Sequence, residues 1–219
     1  MGSIVKNLTQ KEIESIQIDE GVVILDYGEE TERPFVPCRG GGEFSATATV
    51  RDIEFDGRNG KTAGVQVISE QAASLKVTTI SLSWQNLAAA MPSSRIIQEQ
   101  IHYPPEEPKT ITTIKNPKTG VISKVNYFTN VTMFAKLIGG KYKKITIYKP
   151  MSEDGITFKA APKAEGELEI TFQAHYDTDD LDGDLWKIEE IDEFTMRRVV
   201  ANSSNSESES SGSGSGGTT

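Results

Sequence analysis

Asp177, Asp179, Asp180, Asp182 and Asp184 are the densest set of oxygen ligands in the chain, and carboxylates at that density can hold a calcium ion. The EF-hand pattern does not fit them. Counted from Asp177, its glycine position falls on Asp182 and its closing glutamate position on Ile188. A solvated acidic loop is the expectation, with a weak cation site as the alternative. His102 and His175 stand in no zinc spacing, and His175 falls on the polar side of an alternating stretch, as a surface histidine would. Cys38 sits between Pro37 and Arg39. A guanidinium beside a thiol favours the thiolate, but a nucleophile also needs a base and an orienting group, and nothing links either histidine to it. Gly40, Gly41 and Gly42 lack the following Gly-Lys-Ser/Thr of a phosphate loop. Lys141, Lys143 and Lys144 form the compact basic cluster besides Arg197 and Arg198, without the interleaved aromatics of a single-strand binder. Solvated lysines, or ion pairs with an acidic neighbouring chain, are expected there. No catalytic group, cofactor or metal is expected.

The 219 residues carry a formal charge of −9. A tight nucleic-acid surface needs clustered lysine and arginine to displace counterions, so this balance argues against one. It does not argue against a protein that nucleic acid passes without sticking. With Cys38 the single cysteine, no intrachain disulfide holds the fold, and a reducing compartment is the default. No apolar run reaches a membrane span and no apolar secretory core follows Lys6, so no membrane anchor is expected. One domain over residues 1–200 is expected, followed by a Ser/Gly-rich tail at 201–219 that buries too little to become ordered.

The positioning elements centre on residues 74–91, SLKVTTISLSWQNLAAAM, which read as a long strand turning into a short helix. Leu75 and Val77 point one way and Ile80, Leu82 and Trp84 the other; either a bulge near Thr78–Thr79 switches the phase or the strand has protein on both sides. Leu87, Ala88 and Met91 then share a helical face until Pro92 stops the helix. Before this, residues 1–14 read as an arm or a marginal helix, 16–27 as two strands around a turn at 19–21, and 28–37 as an extended arm or surface loop with an exposed-looking Phe35 and Val36. Gly40, Gly41 and Gly42 give a flexible lead-in to a strand at 44–50, and Asp56-Gly57 and Asn59-Gly60 make a tight turn system. Residues 93–109, with Pro104, Pro105 and Pro108, read as the least foldable internal segment. Strands at 110–114 and 121–125 flank a Gly-containing loop and read as a projecting hairpin. A second hairpin joins 131–137 to 145–148, an alternating strand runs from Leu168 to Tyr176, and 185–196 reads as a last strand or a short helix.

Several of these stretches, in this order and spacing, resemble the tail tube (major tail) proteins of long-tailed bacteriophages. EFSATATVRDIEFDGRNGKTAG at 43–64 is similar to their first core strand and its turn, and ASLKVTTISLSWQNLAAAMP at 73–92 to the strand leading into a small covering helix. YFTNVTMFAKLIGGKYKKITIYKP at 127–150 resembles their central hairpin, and KAEGELEITFQAHYD at 163–177 their closing strand. The resemblance implies a mainly β fold, a β-sandwich of two near-orthogonal sheets with a flanking short α-helix. It implies a homo-oligomer of hexameric rings stacked into a hollow tube that conducts DNA from capsid to host. Tape-measure, tail terminator and distal tail or baseplate proteins are the implied partners. The implied location is the virion tail, with the host cytoplasm before assembly. The proline-rich insertion and the long tail depart from the compact members.

Alternation and projection nominate residues for such an assembly. Lys76, Thr78, Glu169, Thr171 and Gln173, on the polar sides of strands, are expected to face the lumen. Phe35, Val36, Tyr103, Ile111, Ile114, Val121 and Val125 are expected to contact neighbouring subunits. The alternative function is a monomeric β-sandwich adhesin or carbohydrate- or protein-binding module, which would show an aromatic platform; an enzyme ranks third.

Overall fold

Period-two alternation produces strands with one dry side, and two such sheets close on each other. The computed structural model describes residues 9–18, 21–57, 60–102, 109–157 and 165–194. Its strands are β1 (Val22–Leu25), β2 (Arg33–Pro34), β3 (Cys38–Asp52), β4 (Gln66–Thr79), β5 (Arg95–Ile101), β6 (Lys109–Lys115), β7 (Asn130–Lys136), β8 (Tyr142–Tyr148), β9 (Met151–Ser152), β10 (Leu168–Gln173) and β11 (Trp186–Ile191). Two α-helices are described, α1 (Gln10–Glu14) and α2 (Trp84–Ala90). One sheet has the order β11-β8-β7-β1-β2 and the other β3-β4-β10-β9, while β5 and β6 pair separately. Every pairing is antiparallel. The protein is mainly β, a sandwich with a short helix on its flank.

Val23, Leu25, Val131, Met133 and Ile147 of the first sheet meet Leu75, Val77, Leu168, Ile170 and Phe172 of the second in one core. Phe172 lies at its centre, edge-on to Phe35 at 6.2 Å and to Phe128 at 5.9 Å between ring centroids. Phe35 is 0% exposed, which corrects the expectation that it presents to a neighbour. Its backbone N–H donates to the Val23 carbonyl, drawing the 28–37 connector onto the sheet edge and its ring inward.

The strand in 74–91 resolves its conflicting phases by ending early. Leu75, Val77 and Thr79 are buried and β4 stops at Thr79, so Ile80 and Leu82 lie in a connector rather than on an opposite strand face. Trp84 is the first residue of α2, not a strand residue, and Asn86, Ala89 and Ala90 are its buried face in place of the expected Leu87, Ala88 and Met91. Asn86 explains the rotation: its Oδ1 accepts from Arg33 and its Nδ2 donates to the Ser81 carbonyl, so a polar side chain is satisfied underneath the helix.

Gly40, Gly41 and Gly42 do not precede β3 as a flexible lead-in; they lie within it, at a register shift against β4. A Cβ on Gly42 would stand 2.6 Å from Met133 Sδ, so glycine lets β3 pass close over β7. The projecting hairpin is also rearranged. Residues 109–115 pair backwards with β5, so part of the stretch expected to fold least is a strand, and residues 121–125 are not. Ile16 and Ile18 flank a single bridge from Gln17 to Leu137 rather than making a full strand. The weakly read 185–196 segment contains strand β11. β7 is covered on both sides, because Tyr27 packs on Phe134 at 4.9 Å on the face away from the core. The 201–219 tail lies outside the described residues. Phe172→Ala is expected to destabilise the protein by about 3–5 kcal/mol through transfer and cavity costs, read as a lower urea midpoint at an unchanged m-value.

Candidate functional site and assembly surfaces

The five residues expected to line a lumen share the outer face of the four-stranded sheet. Each alternates with a buried residue: Lys76 and Thr78 stand between Leu75, Val77 and Thr79, and Glu169, Thr171 and Gln173 between Leu168, Ile170 and Phe172. The register sets Thr78 opposite Glu169, Lys76 opposite Thr171 and Ser74 opposite Gln173. Lys76 Nζ bonds Glu169 at 3.0 Å, and the pairing raises the lysine pKa, with Glu43 and Asp154 adding to it. The face is therefore hydroxyls, amides and a paired cation. A phosphate backbone meets no unpaired lysine among these five residues.

The margins of this sheet are open among the described residues. β3 pairs with β4 on one side only. At the opposite margin β9 covers only Phe172 and Gln173, so Leu168–Thr171 of β10 have no strand partner on that side.

The far half of the β3–β4 ladder is a two-stranded ribbon. Register pairs Ala48 with Gln71, Thr49 with Glu70 and, after a bulge at Ser69, Val50 with Ile68. Residues 45–51 and 66–72 are all exposed. Val50 is 55% and Ile68 59% exposed although both continue the core side of the sheet. The turn at the tip brings out Ile53 and Phe55, again exposed. This arm projects roughly 23 Å from the body at about 3.3 Å per residue. Residues 62–68 read in the sequence as a short apolar strand or link, so the length of this arm is a surface feature that the sequence did not show. No alternation signals it, because Val67 and Ile68 are adjacent and the bulge at Ser69 shifts the phase before Ala73.

Of the residues expected at subunit contacts, Phe35 is core, Val36 is exposed, and Tyr103 lies outside the described residues. Ile111 is exposed and Ile114 half-buried on β6, while Val121 and Val125 stand fully out in the segment that follows. Val121 borders a cleft of about 820 Å³ between the end of α2, the 117–122 loop and β9. Ser152 lines that cleft, and its buried Oγ has no hydrogen-bond partner. The fold thus gathers Val121 with Arg95, Met151 and Ser152, and leaves Val36 elsewhere.

Several of the chemistry-bearing residues have partners within the chain. Asp177 accepts from the Asp179 backbone N–H and pairs with Lys124 at 3.0 Å and Lys149 at 3.2 Å, which holds its carboxyl far below the ordinary range. Cys38 donates to the Phe35 carbonyl, and burial pushes its thiol up, opposite to the activation that Arg39 suggested. Arg39 itself is held by Glu165 and Glu167. His175 contacts the Lys149 carbonyl and Glu153. Lys141, Lys143 and Lys144 pair with Glu190, Asp192 and Glu189 of the same chain. No helix among the described residues is long and apolar enough to cross a membrane. No protein-family model matches the chain, and no curated protein matches it.

The β8–β11 ion ladder sets a pH dependence. Lys187 and Lys144 lower the Glu189 pKa to about 2, and Lys143 and Lys141 lower that of Glu190. Depressed carboxyl pKa values contribute stability above the unfolded value, and that contribution is lost as pH falls through the folded one. Stability is therefore expected to decline from pH 5 toward about 2. Urea titrations should show a shallower decline for Glu189→Gln than for the parent chain.

Proposed function

We propose that this chain is a non-enzymatic structural subunit whose copies join by their four-stranded sheets into rings, stacked as a hollow tube of the kind that forms a phage tail. The observation that carries the reading is the pair of open margins on one sheet whose outer face is polar. An exposed ladder of N–H and C=O groups is a template for another strand, and closure into a ring removes the edge. Strand direction is compatible with this. β3 runs opposite to β9 and in the same direction as β10, so a rotated copy bringing its β3 to this margin would pair antiparallel with Met151–Ser152 and parallel with the open Leu168–Thr171.

In that arrangement the buried side of the sheet stays in each subunit's core and the face bearing Lys76, Thr78, Glu169, Thr171 and Gln173 turns to the axis. A net charge of −9 and a paired lysine on that face suit a wall past which DNA slides without being held. Hexameric rings, and tape-measure, terminator and distal tail proteins as partners, extend the same reading through the family resemblance.

Negative-stain microscopy of the full chain at high concentration tests the proposal. Hollow polymers of uniform width are expected. Monomers that stay dispersed across salt conditions would favour the monomeric binding module instead.

A further inference from the structure

β11 is the last strand of the five-stranded sheet, and its outer margin bears no strand among the described residues. The Tyr148 N–H donates to the Leu185 carbonyl, which fixes the phase of the β8–β11 ladder. In an antiparallel pair, residues bonded to the partner alternate with residues whose N–H and C=O point away from it. Lys187, Glu189 and Ile191 therefore bond to β8, while Trp186, Ile188 and Glu190 aim their backbone groups outward. The side chains of these three lie on the core-facing side, where Trp186 meets Phe44 edge-on at 5.6 Å. Ile188 stands opposite Ile145, which packs against the core, yet Ile188 is itself 46% exposed. The sheet thus ends in an open ladder with an uncovered apolar residue at its middle.

We infer that β11 pairs antiparallel with β11 of a second copy about a two-fold axis through Ile188, joining the two five-stranded sheets into one. Face, bonding and charge together select this register. An axis perpendicular to the sheet keeps the two core-facing sides together, and only outward backbone groups can bond across it. Trp186, Ile188 and Glu190 must therefore meet one another. Centring the pair on Lys187 would set two ammonium groups opposite each other, and centring it on Glu189 would do the same with carboxylates. Centring it on Ile188 sets Ile188 against Ile188, Trp186 against Glu190 of the second copy, and Lys187 against Glu189 of the second copy. Charge on an edge strand ordinarily turns a partner strand away. Here it admits one register.

The neighbouring charges agree with this. Glu189 is held by Lys187 at 2.8 Å and Lys144 at 2.9 Å, and Lys187 of the second copy would join them. Glu190, which Trp186 of the second copy would face, is neutralised by Lys141 and Lys143. Beyond the strand ends Asp192 approaches Asp184 of the second copy, and Lys141 at 3.5 Å from Asp192 offsets that repulsion.

The contact is isologous and closes at two copies. Its axis turns one copy over relative to the other, whereas neighbours in a tube all point the same way along it. The dimer is therefore a state of the dispersed protein, and the inference stands or falls independently of the tube reading.

Sedimentation velocity of the full chain, below the concentration at which polymers form, supplies the test. The parent is expected as a dimer. Lys187→Glu and Glu189→Lys each set like charges across the axis, and each alone is expected as a monomer with the parent's circular dichroism. An equal mixture of the two is expected to recover dimer, because every Lys–Glu position in the mixed species is again opposite in charge. In a Cys38→Ser background, Ile188→Cys is expected to give a covalent dimer with a short bifunctional thiol reagent, in clear excess over Val125→Cys, a control position that is 87% exposed. A monomeric parent, variants that stay dimeric alone, a mixture that stays monomeric, or Ile188→Cys cross-linking no better than Val125→Cys would each overturn the inference.

Discussion

The β3–β4 ladder is held by one continuous set of antiparallel pairings but buried along only part of its length. Near the body, Leu75 and Val77 bury one side of it against the opposite sheet. Beyond Ala73 the same backbone pattern continues with no second layer, and two strands alone in water are marginal at best. The body can fold on its own core. The arm depends on something else to cover Val50 and Ile68. That asymmetry is the physical reason to look for identical copies, and in the proposed assembly the open margins of the same sheet are where they would join.

The rest of the fold keeps the sheet's two faces distinct. Phe35 and Phe128 brace Phe172 from two sides, which fixes β10 against the core and its polar residues outward. Gly42 allows β3 to cross Met133 without a clash. At the other sheet, the lysines of β8 and the acids of β11 neutralise one another across the pairing. Exposed pairs of this kind add modestly to stability, but like charges facing each other there would oppose the strand register.

A strand with strict alternation was legible in the sequence at Leu168–Gln173, because burial of one side leaves a period of two, whereas Asn130–Lys136 is buried on both sides in spite of its alternating residues. Lengths were less legible. Ala46, Ala48 and Ala72 are small and the ribbon's outer residues are polar, so nothing in the local pattern marks where the core ends. Phe35 was misplaced because prolines and charges around it imply exposure, while its burial depends on β1 and β10, distant in sequence. Val121 and Val125 looked like a strand since β-branched residues suit one, but Thr110–Ile114 was taken by the preceding strand instead. The cleft at Val121 was invisible for the same reason: Met91, Val121 and Met151 converge only through tertiary packing.

Hydrogen exchange on dispersed and concentrated protein measures the central claim most directly. Amides in the paired strands at residues 45–52 and 66–72 are expected to exchange much faster than those at 74–79 in dispersed subunits, because the arm opens without unfolding the core. On assembly, the arm's protection is expected to rise toward that of the core. Arm protection that already equals the core's in a dispersed subunit, or that stays unchanged in the concentrated state, would contradict the account.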